Sequence, residues 1–462
     1  MTTPADVRAE PDRLLAMTPL AAVVRLAAPT TLVMIVAAVS NVVYTYFVSR
    51  LGTEAIGAVS LVFPVSLLAI TAMAGGIGAG ASSAVARALG AGRRRQAAVL
   101  SGQALLLAIA VGAAFGGGIQ VAAPGLFRLM GASGAVHEHA TRFARVLLGG
   151  AAITFLGGMF DSVMRGEGNV RIPAIWSTTS LVLQMGATPL FMFVFGWGLD
   201  GAALAMLACQ LLATIARAAW VLGGRGAVRP VFRTRSLEPV AEILRVGVPS
   251  ALSASISNLG LMALTAVVAR LGEADLAAYG LGTRLDFLLM SFGYGFGAAV
   301  LTLVGMATGA RRPDLARAFV TRASAMAVVV LAVPGLLVCW RPALWLGLFT
   351  QDAGIHAVGT QYFRIIGPSY PFVGIAMVVA FAFQGLGRAT IPLALMTLRV
   401  VIVLVAAVVC THVFGLGERA VFTTIAAGNV LSAASLVALF ALTERALRAR
   451  PALPAEDVAA SA

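Results

Sequence analysis

Apolar runs of roughly 18–25 residues follow one another along this chain, each long enough to cross about 30 Å of hydrocarbon as a helix. Short polar stretches separate them. The strands of a membrane barrel would alternate every second residue in pieces of about ten, and no such alternation is present. Only helices and closed barrels satisfy their backbone inside lipid, so the pattern predicts an all-α integral membrane protein. Spans are expected near 20–48, 55–86, 97–122, 141–164, 172–196 and 200–222, then near 246–269, 276–307, 318–340, 362–384, 392–414 and 420–443. The longest polar stretch, 223–245, falls at mid-chain and reads as a cytoplasmic linker. It divides an N-lobe (20–222, spans 1–6) from a C-lobe (246–443, spans 7–12), with cytoplasmic tails at 1–19 and 444–462.

A repeat displaced by about 220 residues strengthens this division. Arg50-Leu51-Gly52 recurs as Arg270-Leu271-Gly272, and Gly90-Ala91-Gly92-Arg93-Arg94 is echoed by Gly309-Ala310-Arg311-Arg312. Gly166-Glu167-Gly168 with Pro173 matches Gly385-Leu386-Gly387 with Pro392, and Phe195-Gly196-Trp197-Gly198 matches Phe414-Gly415-Leu416-Gly417. Pro29 in the first span matches Pro249 in the seventh. Six spans per half is an even number, so both halves start on the same side. They are parallel repeats about an axis along the membrane normal, with a cleft between them that rocking opens alternately to each side.

Composition agrees with lipid burial: 60% of the residues are hydrophobic and 11% charged, with mean hydropathy +0.94. The net charge of +14 comes from Arg alone. These residues cluster in alternate loops, as at Arg93–Arg95, Arg225–Arg235 and Arg311–Arg312. That asymmetry places the Arg-rich loops and both termini on the cytoplasmic side. Basic patches interleaved with aromatics are absent, so no nucleic-acid partner is implied. The N-terminus lacks a cleavable signal, so the first span is retained and targets the chain to the cell (inner) membrane. Cys209, Cys339 and Cys410 lie in apolar runs and form no disulfide framework.

A charge within a span marks a functional candidate by default. Asp286, well inside the eighth span and two residues from Arg284, is the foremost. It takes up a proton, or it forms a static ion pair that stitches the C-lobe together; Arg284 or Arg399 is the cation expected to act on it. Asn41, Tyr44, Gln184, Asn258 and Tyr294, with Arg399, are candidates for the cleft wall; bonding between helices is the other use of such groups. Asp161 is expected to pair with Arg165 at i+4, and Asp200 and Glu418 to lie solvated in outer loops. His137-Glu138-His139 reads as a loop or interfacial segment and no metal site is expected, since His-x-His lacks a third ligand nearby. No Ser/His/Asp arrangement or phosphate loop suggests an enzyme, and no cofactor is implied.

On these residues the chain resembles the multidrug and toxic compound extrusion family, in its DNA-damage-inducible-type branch. The resemblance runs from about Pro29 to Arg445. It is carried by Pro29, Asn41, Arg50-Leu51-Gly52, Pro64, the Gly75–Gly92 glycines, Gly166–Asn169, Phe195–Gly201 and Arg284-Leu285-Asp286 with Gly293, Gly295 and Gly297. The family implies two six-helix bundles, a central cavity and export of cationic or amphipathic molecules driven by protons or sodium. Two family carboxylates are replaced here, by Tyr44 and by Thr188 before Pro189, and Ser257 and Val373 stand where the sodium-coupled branch has acids. The expectation is therefore a monomeric, proton-driven antiporter for small molecules. Sodium-coupled export and a flippase for lipid-linked saccharides are the alternatives.

Overall fold

The computed structural model describes residues 10–233 and 236–448. Among these residues every regular element is helical. The spans are α1 (Pro19–Ser49), α2 (Thr53–Gly90), α3 (Arg94–Leu129), α4 (Gly134–Gly149 continued by Ala151–Gly166), α5 (Arg171–Val194) and α6 (Gly198–Leu222). The second set is α7 (Glu238–Ala269), α8 (Glu273–Gly309), α9 (Pro313–Trp340), α10 (Ala353–Gly385), α11 (Thr390–His412) and α12 (Glu418–Arg448). Eleven are each long and apolar enough to cross a membrane, and the two pieces of α4, bent by 43°, make the twelfth.

The breaks have local causes. In α2 a widened turn spans Thr71–Ile77, where Thr71 Oγ1 donates to the Leu67 carbonyl at 2.8 Å; such back-bonding loosens a helix. In α5 a second wide turn, Leu190–Val194, follows Pro189, which has no N–H to give. In α10 a tight turn at Gly367–Ser369 contains Pro368. A short helix, Glu10–Ala16, occupies part of the segment expected as a tail. It buries Leu14 and holds Arg25 through Glu10 at 2.6 Å. Two local expectations are corrected. The loop reading of His137–His139 is replaced by helix, since the three residues form part of the first turns of α4, with His137 Nε2 at 2.9 Å from the Pro124 carbonyl. Asp200 opens α6 and is paired with Arg142, and Glu418 opens α12, because an acid in a first turn meets the helix's free N–H groups.

The lobes meet through glycines that leave no room for a β-carbon, and the contacts come in reciprocal pairs. Gly90 lies on the Met306 carbonyl and Gly309 on the Arg87 carbonyl. Gly76 lies on Ala251, and Gly295 on Thr31. In each pair both partners are shifted by about 220 residues, the displacement read from the repeat. One surface of α2 and α1 therefore packs on its own copy in α8 and α7, as an approximate two-fold axis requires. All these approaches fall in the Arg-rich halves of the helices. Cross-lobe hydrogen bonds sit at the same end: Ser83 Oγ to the Gln384 carbonyl at 2.5 Å, Arg87 to Glu242 at 3.0 Å and Thr302 Oγ1 to the Arg165 carbonyl at 3.1 Å. No glycine approach joins the lobes in their other halves among the described residues. There Val39, Val42, Tyr46, Leu259, Met262 and Phe287 are exposed.

Candidate functional site

Within the C-lobe, α8 presents Asp286 to the break in α10. Tyr362 lies before that break and Tyr370 just after it, and both rings are buried. Each carboxylate oxygen of Asp286 accepts from one hydroxyl: Oδ2 from Tyr362 Oη at 2.8 Å and Oδ1 from Tyr370 Oη at 2.5 Å. Gly282 and Gly335 carry no side chain where these two rings pass, and a β-carbon at either would overlap its ring. Tyr279 and Phe422 hold Tyr362 edge-on, with centroids 6.0 and 5.1 Å away. A second layer continues the network: Arg399 donates to Asn429 Oδ1 at 2.5 Å, and Asn429 Nδ2 donates to Ser369 Oγ at 2.9 Å. Arg399 is the guanidinium of this second layer, and it bonds Asn429 rather than Asp286. Arg284 takes no part. Two residues along the helix it points elsewhere, exposed, with its guanidinium 5.6 Å over the Phe349 ring.

This cradle is made of neutral groups that both donate and accept. A hydroxyl donates to a carboxylate and accepts from a carboxylic acid, so the arrangement serves Asp286 in either protonation state. A guanidinium, which only donates, would hold the ionised form alone.

The N-lobe has no counterpart to this cluster. Tyr44 and Gln184 come together there, in a narrow crevice between α1 and α5 that Ser40, Phe47 and Thr188 also line. The hydroxyls of Tyr44 and Thr188 are buried and have no hydrogen-bond partner among the described residues. Neither α1 nor α5 carries a carboxylate. Asn41 is exposed on α1, and Asn258 and Tyr294 are half-buried, Tyr294 lying edge-on to Phe381 at 5.5 Å. These three join neither cluster.

Asp161 pairs with Arg217 of α6 rather than with Arg165. Arg217 Nε lies 2.8 Å from Asp161 Oδ1, and Ser177 of α5 bridges the two, accepting from Arg217 at 2.7 Å and donating to Asp161 at 3.4 Å. Arg165 instead donates to Ser162 at 3.0 Å. Arg217 is 1% exposed, and so deep a cation demands a carboxylate. Sequence reasoning missed Arg217, Tyr362 and Tyr370. The chain has only six tyrosines, and a tyrosine inside an apolar run needs a partner for its hydroxyl. That was the available signal. Among the described residues no group of three or more His, Cys, Asp or Glu side chains is placed to hold a metal ion.

Comparison with known proteins adds an independent view. The MatE family model matches residues 29–190 and again 249–409, so the two matches begin at the equivalent positions of the two halves. An FAD transporter of Shewanella oneidensis is 26% identical over 78% of this chain and 81% of its own length. The multidrug export protein MepA of Staphylococcus aureus is 22% identical over 90% of this chain and 91% of its own. Among solved structures, a MOP superfamily transporter from Pyrococcus furiosus superposes with TM-score 0.89 at 28% identity, over 95% of this chain and 98% of that one. For that protein, reverse polarity of the binding pocket suggests a different function. An outward-facing multidrug resistance MATE transporter matches with TM-score 0.89 at 29% identity, over 95% of this chain and 98% of that one. With 12 apolar spans, a duplicated six-helix lobe and the family model matched once in each half, this chain belongs to the MatE, or multidrug and toxic compound extrusion, family of membrane transporters and is not an enzyme.

Proposed function

We propose that the protein is a monomeric, proton-driven antiporter that exports small cationic or amphipathic molecules across the cell (inner) membrane, with its Arg-rich end and both termini in the cytoplasm. The observation that carries this reading is the neutral two-tyrosine cradle around Asp286, a carboxylate inside a span with no guanidinium bonded to it. The close glycine approaches and cross-lobe hydrogen bonds at the Arg-rich end, with no glycine approach in the other halves among the described residues, support reading this arrangement as an outward-open state. In that state Asp286 takes a proton from outside and its O–H turns to a tyrosine oxygen. The neutral cluster favours the reverse tilt, in which the Arg87–Glu242 and Ser83–Gln384 contacts separate. Proton release to the cytoplasm then accompanies substrate loading, and export follows on the return. The sodium alternative loses support from the bare N-lobe crevice, where Tyr44 and Thr188 offer hydroxyls and no charge.

A second reading of the cargo is favoured by one observation. Neither α1 nor α5 offers a carboxylate to a cation, and a relative is an FAD transporter, so an anionic aromatic nucleotide is the competing substrate class. Proteoliposomes loaded with a fluorescent organic cation or with flavin adenine dinucleotide, under imposed proton or sodium gradients, separate these readings. Efflux of the cation driven by protons, absent in a folded Asp286→Asn variant and indifferent to sodium, is expected. Full activity of that variant removes Asp286 from the mechanism, and dependence on sodium overturns proton coupling.

A further inference from the structure

The segment joining the two lobes is a built wall. After α6 ends, Arg225 lays its guanidinium 5.6 Å over Trp220, and residues 226–232 run as a strap beside the first turns of α3. The strap is stitched down repeatedly. Ala227 N and Val228 N donate to the Glu167 carboxylate at 3.0 and 3.4 Å, and Val231 N donates to the Ala98 carbonyl at 2.9 Å. Gln103 Nε2 donates to the Phe232 carbonyl at 3.1 Å, and Gly102 has no side chain where the Val231 backbone crosses it. Ala227 and Val228 are buried in the core of the N-lobe.

Between the strap and α3 an open hollow of about 540 Å³ remains, lined by the exposed Arg94, Arg95 and Arg229 with Ala98 and the glycine-rich turn at 223–226. No carboxylate lines it. Among the described residues Arg95 and Arg229 enter no ion pair. Arg93 caps the start of α3 without a side-chain hydrogen bond, so the N–H groups of that first turn add to the positive field. The positive-inside bias accounts for arginines at this end. It does not account for three arginines gathered around one hollow whose floor is a stitched-down strap.

We propose that this hollow binds a phosphate group, carried by an anionic lipid headgroup or by a soluble phosphate ester. Guanidinium forks match phosphate oxygens two at a time, which a diffuse basic surface does not achieve. The hollow lies at the Arg-rich end, where headgroups of the facing leaflet would meet it. Occupancy would brace the strap, the one covalent connection between the lobes.

The test uses the full chain in nanodiscs of phosphatidylcholine with graded phosphatidylglycerol, with retained lipid counted by native mass spectrometry, and inorganic pyrophosphate as the soluble probe. Arg95→Gln with Arg229→Gln leaves Arg94, which has another partner, in place. Arg311→Gln with Arg322→Gln is the charge-matched control at the same end. Preferential retention of phosphatidylglycerol is expected, lowered at least tenfold in the first variant and less than twofold in the control. Competition by pyrophosphate identifies a soluble source, and retention without competition identifies the lipid. Arg229→Lys, which keeps charge and loses the fork, should lower retention about threefold, and it serves if the double variant does not fold. Equal losses in both double variants, or no preference for either probe in the unsubstituted chain, overturn the proposal.

Discussion

Substituting Glu167 with glutamine tests how the ionisation of one buried carboxyl weighs on the strap. Glu167 lies between the spans α4 and α5 and is 1% exposed. Burial pushes its carboxyl up from 4.5 to about 7, against the opposing pull of the Ala227 and Val228 amides. At about 1.4 kcal/mol per unit, that displacement corresponds to roughly 3 kcal/mol. The native carboxyl holds its proton more tightly than the unfolded chain does. Its contribution is therefore present in full below about pH 4.5 and is lost as pH rises through about 7. Glutamine keeps the shape, accepts one of the two amides and cannot ionise, so its variant has no such slope. Hydrogen exchange of peptides covering 225–231, corrected for intrinsic rates, reads the opening free energy between pH 5 and 8. It should fall by roughly 2–3 kcal/mol across that window in the unsubstituted chain and stay level in Glu167→Gln. Parallel profiles in the two proteins would refute the reasoning.

Three further outcomes are expected. Asp161→Asn strands the buried Arg217 and should destabilise the N-lobe by about 3–5 kcal/mol, whereas Asp161→Leu with Arg217→Met should recover most of the loss. Thermal unfolding checks this, and equal losses in the single and double variants would contradict it. Gly282→Ala drives a methyl into the Tyr362 ring; it should cost about 1–3 kcal/mol and depress pH-driven efflux although Asp286 is untouched. Unchanged efflux would show that the tyrosine cradle is dispensable. Glu242→Gln removes a partly exposed cross-lobe pair worth about 0.5–1 kcal/mol and should shift the closed-to-open ratio at the Arg-rich end about two- to fivefold. Spin-label distances between the lobes measure that ratio, and an unchanged distribution would mean the pair contributes nothing to closure.

Much of the architecture was legible from residues alone. The length of the apolar runs prescribed the spans, and the echoes of Arg50-Leu51-Gly52 and Gly166-Glu167-Gly168 prescribed two like halves. Gly76, Gly90, Gly295 and Gly309 were visible as punctuation, and their reciprocal packing across the lobes follows from the repeat. Asp286 stood out because an acid in an apolar run has few uses. Its partners did not stand out. Arg284 was near in sequence and faces away, while Tyr362 and Tyr370 lie over 70 residues distant and converge on it. Asp161 likewise had Arg165 one turn away and found Arg217 from another helix.

The division has a physical basis. Hydrophobicity, charge asymmetry and repetition are properties of consecutive residues, so the linear chain alone determined the helical class, the number of spans and the doubling. The rotation of each helix about its axis, and the breaks that tilt its two halves, are set by packing against neighbours. Those rotations select which buried polar group meets which, because every such group in lipid must find a partner among whatever side chains the packing brings within reach. Only the tertiary structure decided that Asp286 meets two hydroxyls, that Asp161 meets a guanidinium, and that the polar connector lies down as a wall.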